Sequence, residues 1–231
     1  MSGYDETRVV LQRVGAHVLA RRRFDLTGRF GLRATPGGFG TPLFGPDDAL
    51  EVVRVDGGLL VREVGGDVRA TPIDGASLRD LAEEVGVDLA ADFSVGHDTP
   101  DLGDVEAALS VDPTHAVALG DWLDLGWRAL DRVTGGVGGG ATVQLWPEHF
   151  DAGTNVPVGP GPDDRCNLGA SAGDGFHPEP YLYVGPWGAD RPGDAAYWNA
   201  PFGAVIGADA VASVDDAVAF LQRGIELLRD T

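Results

Sequence analysis

The chain has 231 residues, 17 of them basic and 36 acidic, for a formal net charge of −19 and a mean hydropathy of −0.04. Phosphate recognition rests on lysine and arginine, so this balance excludes nucleic acid and anionic membrane surfaces as partners. With 43% hydrophobic residues the composition is that of a soluble globular protein with its own core, arranged as one large domain or two packed halves.

The first predicted element is an amphipathic helix over residues 4–23, where Val10, Val14 and Val18, with Leu11 beside them, recur at helical spacing. Arg13, His17 and Arg21 form an i, i+4 stripe on the same segment. Residues 1–33 are locally basic, with seven arginines against three acids, and this segment is expected to lie against acidic parts of the same chain rather than to form an anion site at Arg21, Arg22 and Arg23. Phe30, Leu32 and Ala34 then alternate as in a strand. Residues 50–55 and 59–64 flank Asp56, Gly57 and Gly58, the signature of a β-hairpin, and residues 68–73 add a further strand. Ser77 and Asp80 have the spacing of a capping box that opens a helix ending near Gly86. Residues 87–112 are rich in aspartate and turn formers and read as a long surface connection.

Asp112 followed by Pro113 is a helix start, and Leu119, Leu123, Leu130 and Val133 carry a buried stripe to a predicted end before Thr134. The glycine run of residues 135–140 is the predicted connection between an N-terminal half, 1–134, and a C-terminal half, 141–231. In the second half strands are predicted over 142–146, 166–171, 181–184 and 197–206, and Ser213 with Asp216 caps a closing helix that carries Ala217, Leu221, Ile225 and Leu228. Strands grouped outside any regular strand–helix alternation give an α+β fold class, with antiparallel sheets flanked by a few long helices in two structurally related or tightly packed halves.

All 17 basic residues are arginine, and aspartate outnumbers glutamate 27 to 9, which GC-rich coding explains more simply than adaptation to high salt. The lone Cys166 excludes an internal disulfide and a zinc knuckle. The first apolar stretch is interrupted by Arg8, Gln12, Arg13 and His17, and no stretch approaches the ~18 apolar residues of a spanning helix, so the expectation is a cytoplasmic protein without a membrane anchor. The oligomeric state is open.

Two strings match functional patterns but fail their context. Residues 136–141 fit a dinucleotide fingerprint, yet a helix precedes them and a strand follows, the reverse of what that motif needs. Gly169, Ser171 and Gly173 have the spacing of a serine-hydrolase nucleophile elbow, but residues 174–180 cannot begin the helix an elbow requires, so a tight turn is expected.

Residues suited to chemistry gather in the second half. On an extended chain His149 and Asp151 share one face, as do His177 and Glu179, each pair setting an imidazole beside a carboxylate. If the two pairs meet, they supply two nitrogens and two oxygens for a divalent metal, or a carboxylate-oriented histidine as general base, and the four residues are then the catalytic and metal-ligating candidates of a hydrolase. The leading reading is a small-molecule site, acidic and lined by aromatic rings, whose ligand-binding candidates are Trp146, Glu148, Asn167, Asp174, Tyr181, Tyr183, Trp198 and Asn199, with Phe176, Trp187 and Phe202 among the neighbouring aromatics. Such a site favours cationic or polyhydroxylated ligands over phosphates. A third reading is a non-catalytic protein-interaction module.

The strings LWPEHFD (145–151), NLGASAGD (167–174), PEPYLYVGPW (178–187) and WNAPFG (198–203), with RATPGGFG (33–40), resemble uncharacterised proteins of high-GC actinobacteria. The resemblance implies a bacterial cytoplasmic source and transfers no catalytic role.

Overall fold

The computed structural model describes residues 3–35, 37–96, 98–137 and 141–229. Their fold is α+β, with two five-stranded antiparallel sheets and flanking helices. The chain divides into two compact units, residues 1–121 with 145–150, and residues 122–144 with 151–231. The division falls inside a helix and again at residues 144–151, so it does not follow the glycine run. Of that run, Gly138, Gly139 and Gly140, half of the dinucleotide-like pattern, lie outside the described residues, as does His97.

The first unit opens with α1 (Gly3–Val14), which widens into a π-helical segment (Gly15–Ala20) and continues as α2 (Arg21–Thr27). Its sheet is a meander in the order β1 (Arg33–Thr35), β2 (Gly38–Gly40), β3 (Glu51–Asp56), β4 (Leu59–Val64) and β5 (Asp67–Pro72). Asp56 pairs with Leu59, leaving Gly57 and Gly58 as a two-residue turn, and Gly57 takes φ +57°, the left-handed conformation that such hairpin turns require. α3 (Leu78–Val85) has the capping box in full: the Ser77 hydroxyl accepts from the Asp80 amide, and the Asp80 carboxylate accepts from the Ser77 amide. Leu11, Val14, Val18, Phe39, Val53, Leu78 and Leu81 are all fully buried and form the centre of this unit.

Among the described residues of 87–112 there is no helix or longer strand, but they are more than a surface connection. Val87, Val95, Leu109 and Val111 are buried. Their main-chain carbonyls are held by the basic stripe: Arg13 donates to Leu102 (2.6 Å), His17 to Pro100 (2.7 Å) and Arg21 to Ala91 (3.1 Å). The expected internal use of the basic segment is met again at Glu51, which is 2% exposed and accepts from Arg22 at 2.8 Å and from Arg62 at 2.9 Å.

α4 (Pro113–Val137) starts as expected, with the Asp112 carboxylate accepting from the Thr114 and His115 amides. It ends later than expected. The Thr134 hydroxyl bonds back to the Leu130 carbonyl and the helix runs on through Gly135, because glycine weakens a helix without forbidding it.

In the second unit the strand order is β10 (Ala204–Gly207), β9 (Tyr181–Pro186), β8 (Arg165–Ser171) and β7 (Asp151–Pro157), and the short β6 (Gln144–Trp146) falls in the chain where the division lies. One face of β7–β10 presents Ala152, Val156, Cys166, Leu168, Ala170, Leu182, Val184 and Ala204 to a core completed by Leu130 and Val133 of α4 and by Ala217, Leu221 and Ile225 of α5 (Val214–Arg229). Burial pushes the Cys166 thiol up to about 12, the behaviour of a core side chain rather than a nucleophile. Among the described residues no helix is long and apolar enough to cross a membrane.

Candidate functional site

Period-two alternation sends Asp151, Asn155, Arg165, Asn167, Gly169, Ser171, Tyr181, Tyr183 and Gly185 to the face of β7–β9 opposite this core. The register sets Gly153, Gly169 and Tyr183 in one row across the three strands. A methyl added to Gly169 would overlap the Tyr183 ring, so the ring lies across that glycine. The phenol thereby reaches β7 and donates to the Asp151 carboxylate. Burial and the Asp151 charge both push the Tyr183 phenol well above its ordinary range, so it stays protonated and donating.

Beyond this row runs a second line of polar groups. Arg165 donates through Nε to Asn155 Oδ1, Asn155 Nδ2 donates to Asn167 Oδ1 at 2.8 Å, and Trp187 Nε1 donates to the same oxygen at 3.0 Å. Guanidinium and indole N–H groups only donate, so the two ends of the line fix the orientation of both amides. Asn167 must turn its oxygen to these two donors, which leaves its NH2 group as the remaining donor of an exposed residue. Trp187 is 53% exposed beside it, with the Arg165 guanidinium 5.9 Å from a ring centroid.

At the other end of β8 the chain turns back on itself. Ser171 is 2% exposed, and its hydroxyl accepts from the Gly173 amide at 3.1 Å. Bends follow instead of a helix, so the elbow-like string is the end of β8 running into a bend, neither an elbow nor, over Gly169–Ser171, the tight turn expected. Asp174 organises this turn: one carboxylate oxygen accepts from the Phe176 and His177 amides, the other from the Tyr181 hydroxyl at 2.7 Å. Burial and that carboxylate push the Tyr181 phenol up. Phe176 stacks edge-on to Phe202 (5.1 Å) and Tyr181 (6.1 Å), leaving Phe176 48% and Phe202 37% exposed.

The catalytic candidates are placed as follows. His177 Nδ1 lies 2.9 Å from the Glu179 carbonyl and 3.7 Å from its carboxylate, so this pair exists, exposed and tied to its own main chain. His149 and Asp151 do not form the expected pair. Phe150 between them has φ +55°, which breaks the alternation that would have set them on one face. His149 belongs to the first unit, where its Nδ1 is 3.7 Å from Asp98, while Asp151 is taken by Tyr183 in the second. Among the described residues no group of three or more histidine, cysteine or acidic side chains is gathered so as to hold a metal ion.

Of the ligand-binding candidates, Asn167, Asp174, Tyr181 and Tyr183 fall together on the outer face of the second sheet or on the turn beside it. Trp198 packs instead against the inner core and donates to the Pro192 carbonyl. The Asn199 amide is occupied on both sides by the Val205 main chain, which also explains why residues 197–203 form a loop rather than a strand. Trp146 and Glu148 belong to the first unit; Trp146 lies 6.4 Å from Phe30, and the Glu148 carbonyl accepts from Gln12. Asn155 and Arg165 were not among the candidates. Their signal was the alternation of polar or small with apolar residues through 151–157 and 165–171, which marks one face of each strand as distinct from its core.

No protein-family model, curated protein or solved structure matches this chain.

Proposed function

We propose that the protein binds a small molecule on the outer face of the second unit's sheet, over Asn167, Tyr183 and Trp187. The observation that carries this reading is the Asn167 carboxamide: two hydrogen bonds hold its oxygen and leave its NH2 group as the remaining donor of an exposed residue beside an exposed indole. An orienting polar group fixed by its neighbours, next to exposed aromatic surface, is the composition of ligand sites. A structural role for Trp187 alone would not need so much of its ring in water.

A thermal-shift screen of neutral sugars, amines and carboxylic acids on the intact chain tests the reading. At least one class is expected to raise the Tm, and Trp187→Ala is expected to abolish that rise. A Tm unmoved by every class, or a rise that persists in Trp187→Ala, removes the site from this face.

A further inference from the structure

Resting on that reading, we infer that the ligand is a neutral polyhydroxylated molecule, a saccharide, seated over Gly185 between Asn167, Trp187 and Phe202. Tyr183, Gly185 and Trp187 follow one another at alternate positions of β9 and its continuation, where the Trp187 amide still bonds to the Arg165 carbonyl. The two aromatic residues are four positions apart, about 13 Å along a strand. Between them Gly185 contributes no side chain, and a methyl added there would meet nothing closer than 3.9 Å, with Asn167 and the Phe202 carbonyl as its nearest neighbours. Gly185 therefore leaves a gap in the row of side chains on this face, a recess floored by main chain, with Tyr183 and Trp187 at the alternate positions on either side and Asn167 on the neighbouring strand.

The charges around the recess decide between ligand classes. A cationic ligand would need an aromatic face clear of other cations and an available carboxylate. The Arg165 guanidinium, 5.9 Å from a Trp187 ring centroid, repels a second cation there without removing the exposed indole from an uncharged ligand. Asp151 is only 7% exposed and accepts from Tyr183, and both oxygens of Asp174 are occupied by Tyr181 and by the turn amides. An anionic ligand would meet a chain of net charge −19, and the nearby guanidiniums are engaged, Arg165 with Asn155 through Nε and Nη2, and Arg191 with the Gly188, Asp190 and Phe202 carbonyls. What the recess does offer is the Asn167 NH2 group beside the exposed Trp187 indole. A sugar ring has the matching chemistry, with hydroxyls at its edge that donate and accept and a face of C–H groups that lies on an indole.

Asn167→Asp is the decisive variant. One of its carboxylate oxygens can still accept from Asn155 and Trp187, so the line of hydrogen bonds survives, while the NH2 donor is replaced by a charged acceptor oxygen. The measurement is an NMR titration of the full chain that follows the Asn167 side-chain NH2 and the Trp187 indole N–H. The probes are cellohexaose, maltohexaose and chitohexaose as neutral oligosaccharides, spermidine as a cation and trigalacturonate as an anion. The expected result is that at least one neutral oligosaccharide shifts both signals, that its affinity falls at least tenfold in Asn167→Asp and in Trp187→Ala with the remaining spectrum unchanged, and that spermidine and trigalacturonate leave the signals in place. Shifts from spermidine or trigalacturonate alone would overturn the saccharide inference and leave the binding face standing. Silence from all five probes would overturn the inference. A sugar that binds equally well to both variants would place the site elsewhere and overturn the face as well.

Discussion

Glu51 is 2% exposed, and a carboxylate so placed persists only because guanidiniums meet both of its oxygens. Burial pushes its pKa up, but the hydrogen bonds and charges of Arg22 and Arg62 outweigh that, and the net result lies below the ordinary carboxylate value. A carboxyl with a lowered folded-state pKa contributes stability that is complete above its unfolded value, about 4.3, and is lost as the pH falls through the folded value. Glu51→Gln keeps the shape and leaves two cations facing a neutral amide, so it is expected to lower stability by about 3 kcal/mol in urea denaturation at pH 7. The gap to the wild type should narrow as the pH drops below about 4. A gap that stays constant down to pH 2 would show that charge pairing is not its cause. The basic character of residues 1–33 was visible in the sequence; which acid would meet Arg22 was not, because Glu51 is 29 residues away and nothing local encodes that distance. The same limit governed the candidate site. The His149–Asp151 pair was inferred from period-two alternation, and a single left-handed residue, Phe150, cancels it. Tyr183 and Asn167 were recognised as ligand-facing types, but their partners Asp151 and Asn155 come from a neighbouring strand through register.

At the scale of elements, local chemistry was the readable part. The Asp56–Gly57–Gly58 turn, the Ser77 and Ser213 caps and the Asp112–Pro113 start each place a short-range hydrogen-bonding or φ requirement in a few residues, and each element begins where that requirement sits. β7 was missed as a strand because its residues 151–157 include glycine, asparagine and aspartate, which have low strand propensity; its formation depends on pairing with β8 through all seven residues. The 87–112 connection was misjudged for a related reason, since its anchors are three side chains of α1, the π-helical segment and α2. The central one titrates. His17 Nε2 donates to the Pro100 carbonyl, and its pKa is lowered chiefly by burial, with Arg13 and Arg21 adding to the effect and the Pro100 bond and Asp101 opposing it. The unfolded chain therefore takes up a proton near pH 6.5 that the folded chain resists, so stability falls as the pH drops below that value and levels off once the folded value is passed. His17→Gln retains an N–H donor without the titration and is expected to flatten this part of the stability curve. Amide hydrogen exchange over residues 91–104 should accelerate between pH 7 and pH 5, after correction for intrinsic rates, in the wild type and not in the variant. Equal acceleration in both would mean that His17 does not hold this connection.

For the molecule as a whole, the charge balance and the distribution of arginines pull in different directions. Arginines that could have offset surface acids are drawn inward: Arg22 and Arg62 onto Glu51, Arg13 onto main-chain carbonyls, Arg165 onto Asn155. The surface is consequently more negative than the count of −19 alone conveys, and its carboxylates repel one another across distances that salt can screen, about 10 Å at 0.1 M. The buried pairs and apolar cores are screened far less. Raising NaCl from 10 mM to 0.5 M should therefore raise the Tm, by roughly 2–4 °C for each kcal/mol of repulsion relieved in a chain of this size. The chain should nonetheless remain folded at 10 mM, because two sets of fully buried side chains, around Leu11 and Phe39 in one unit and around Leu168 and Leu221 in the other, do not depend on screening. Thermal melts followed by circular dichroism across that range separate the explanations of the aspartate excess. Unfolding at 10 mM would assign it to high-salt adaptation and not to coding, whereas a Tm that does not move at all would mean that the acids are too far apart to repel and that the inward placement of the arginines has no energetic consequence.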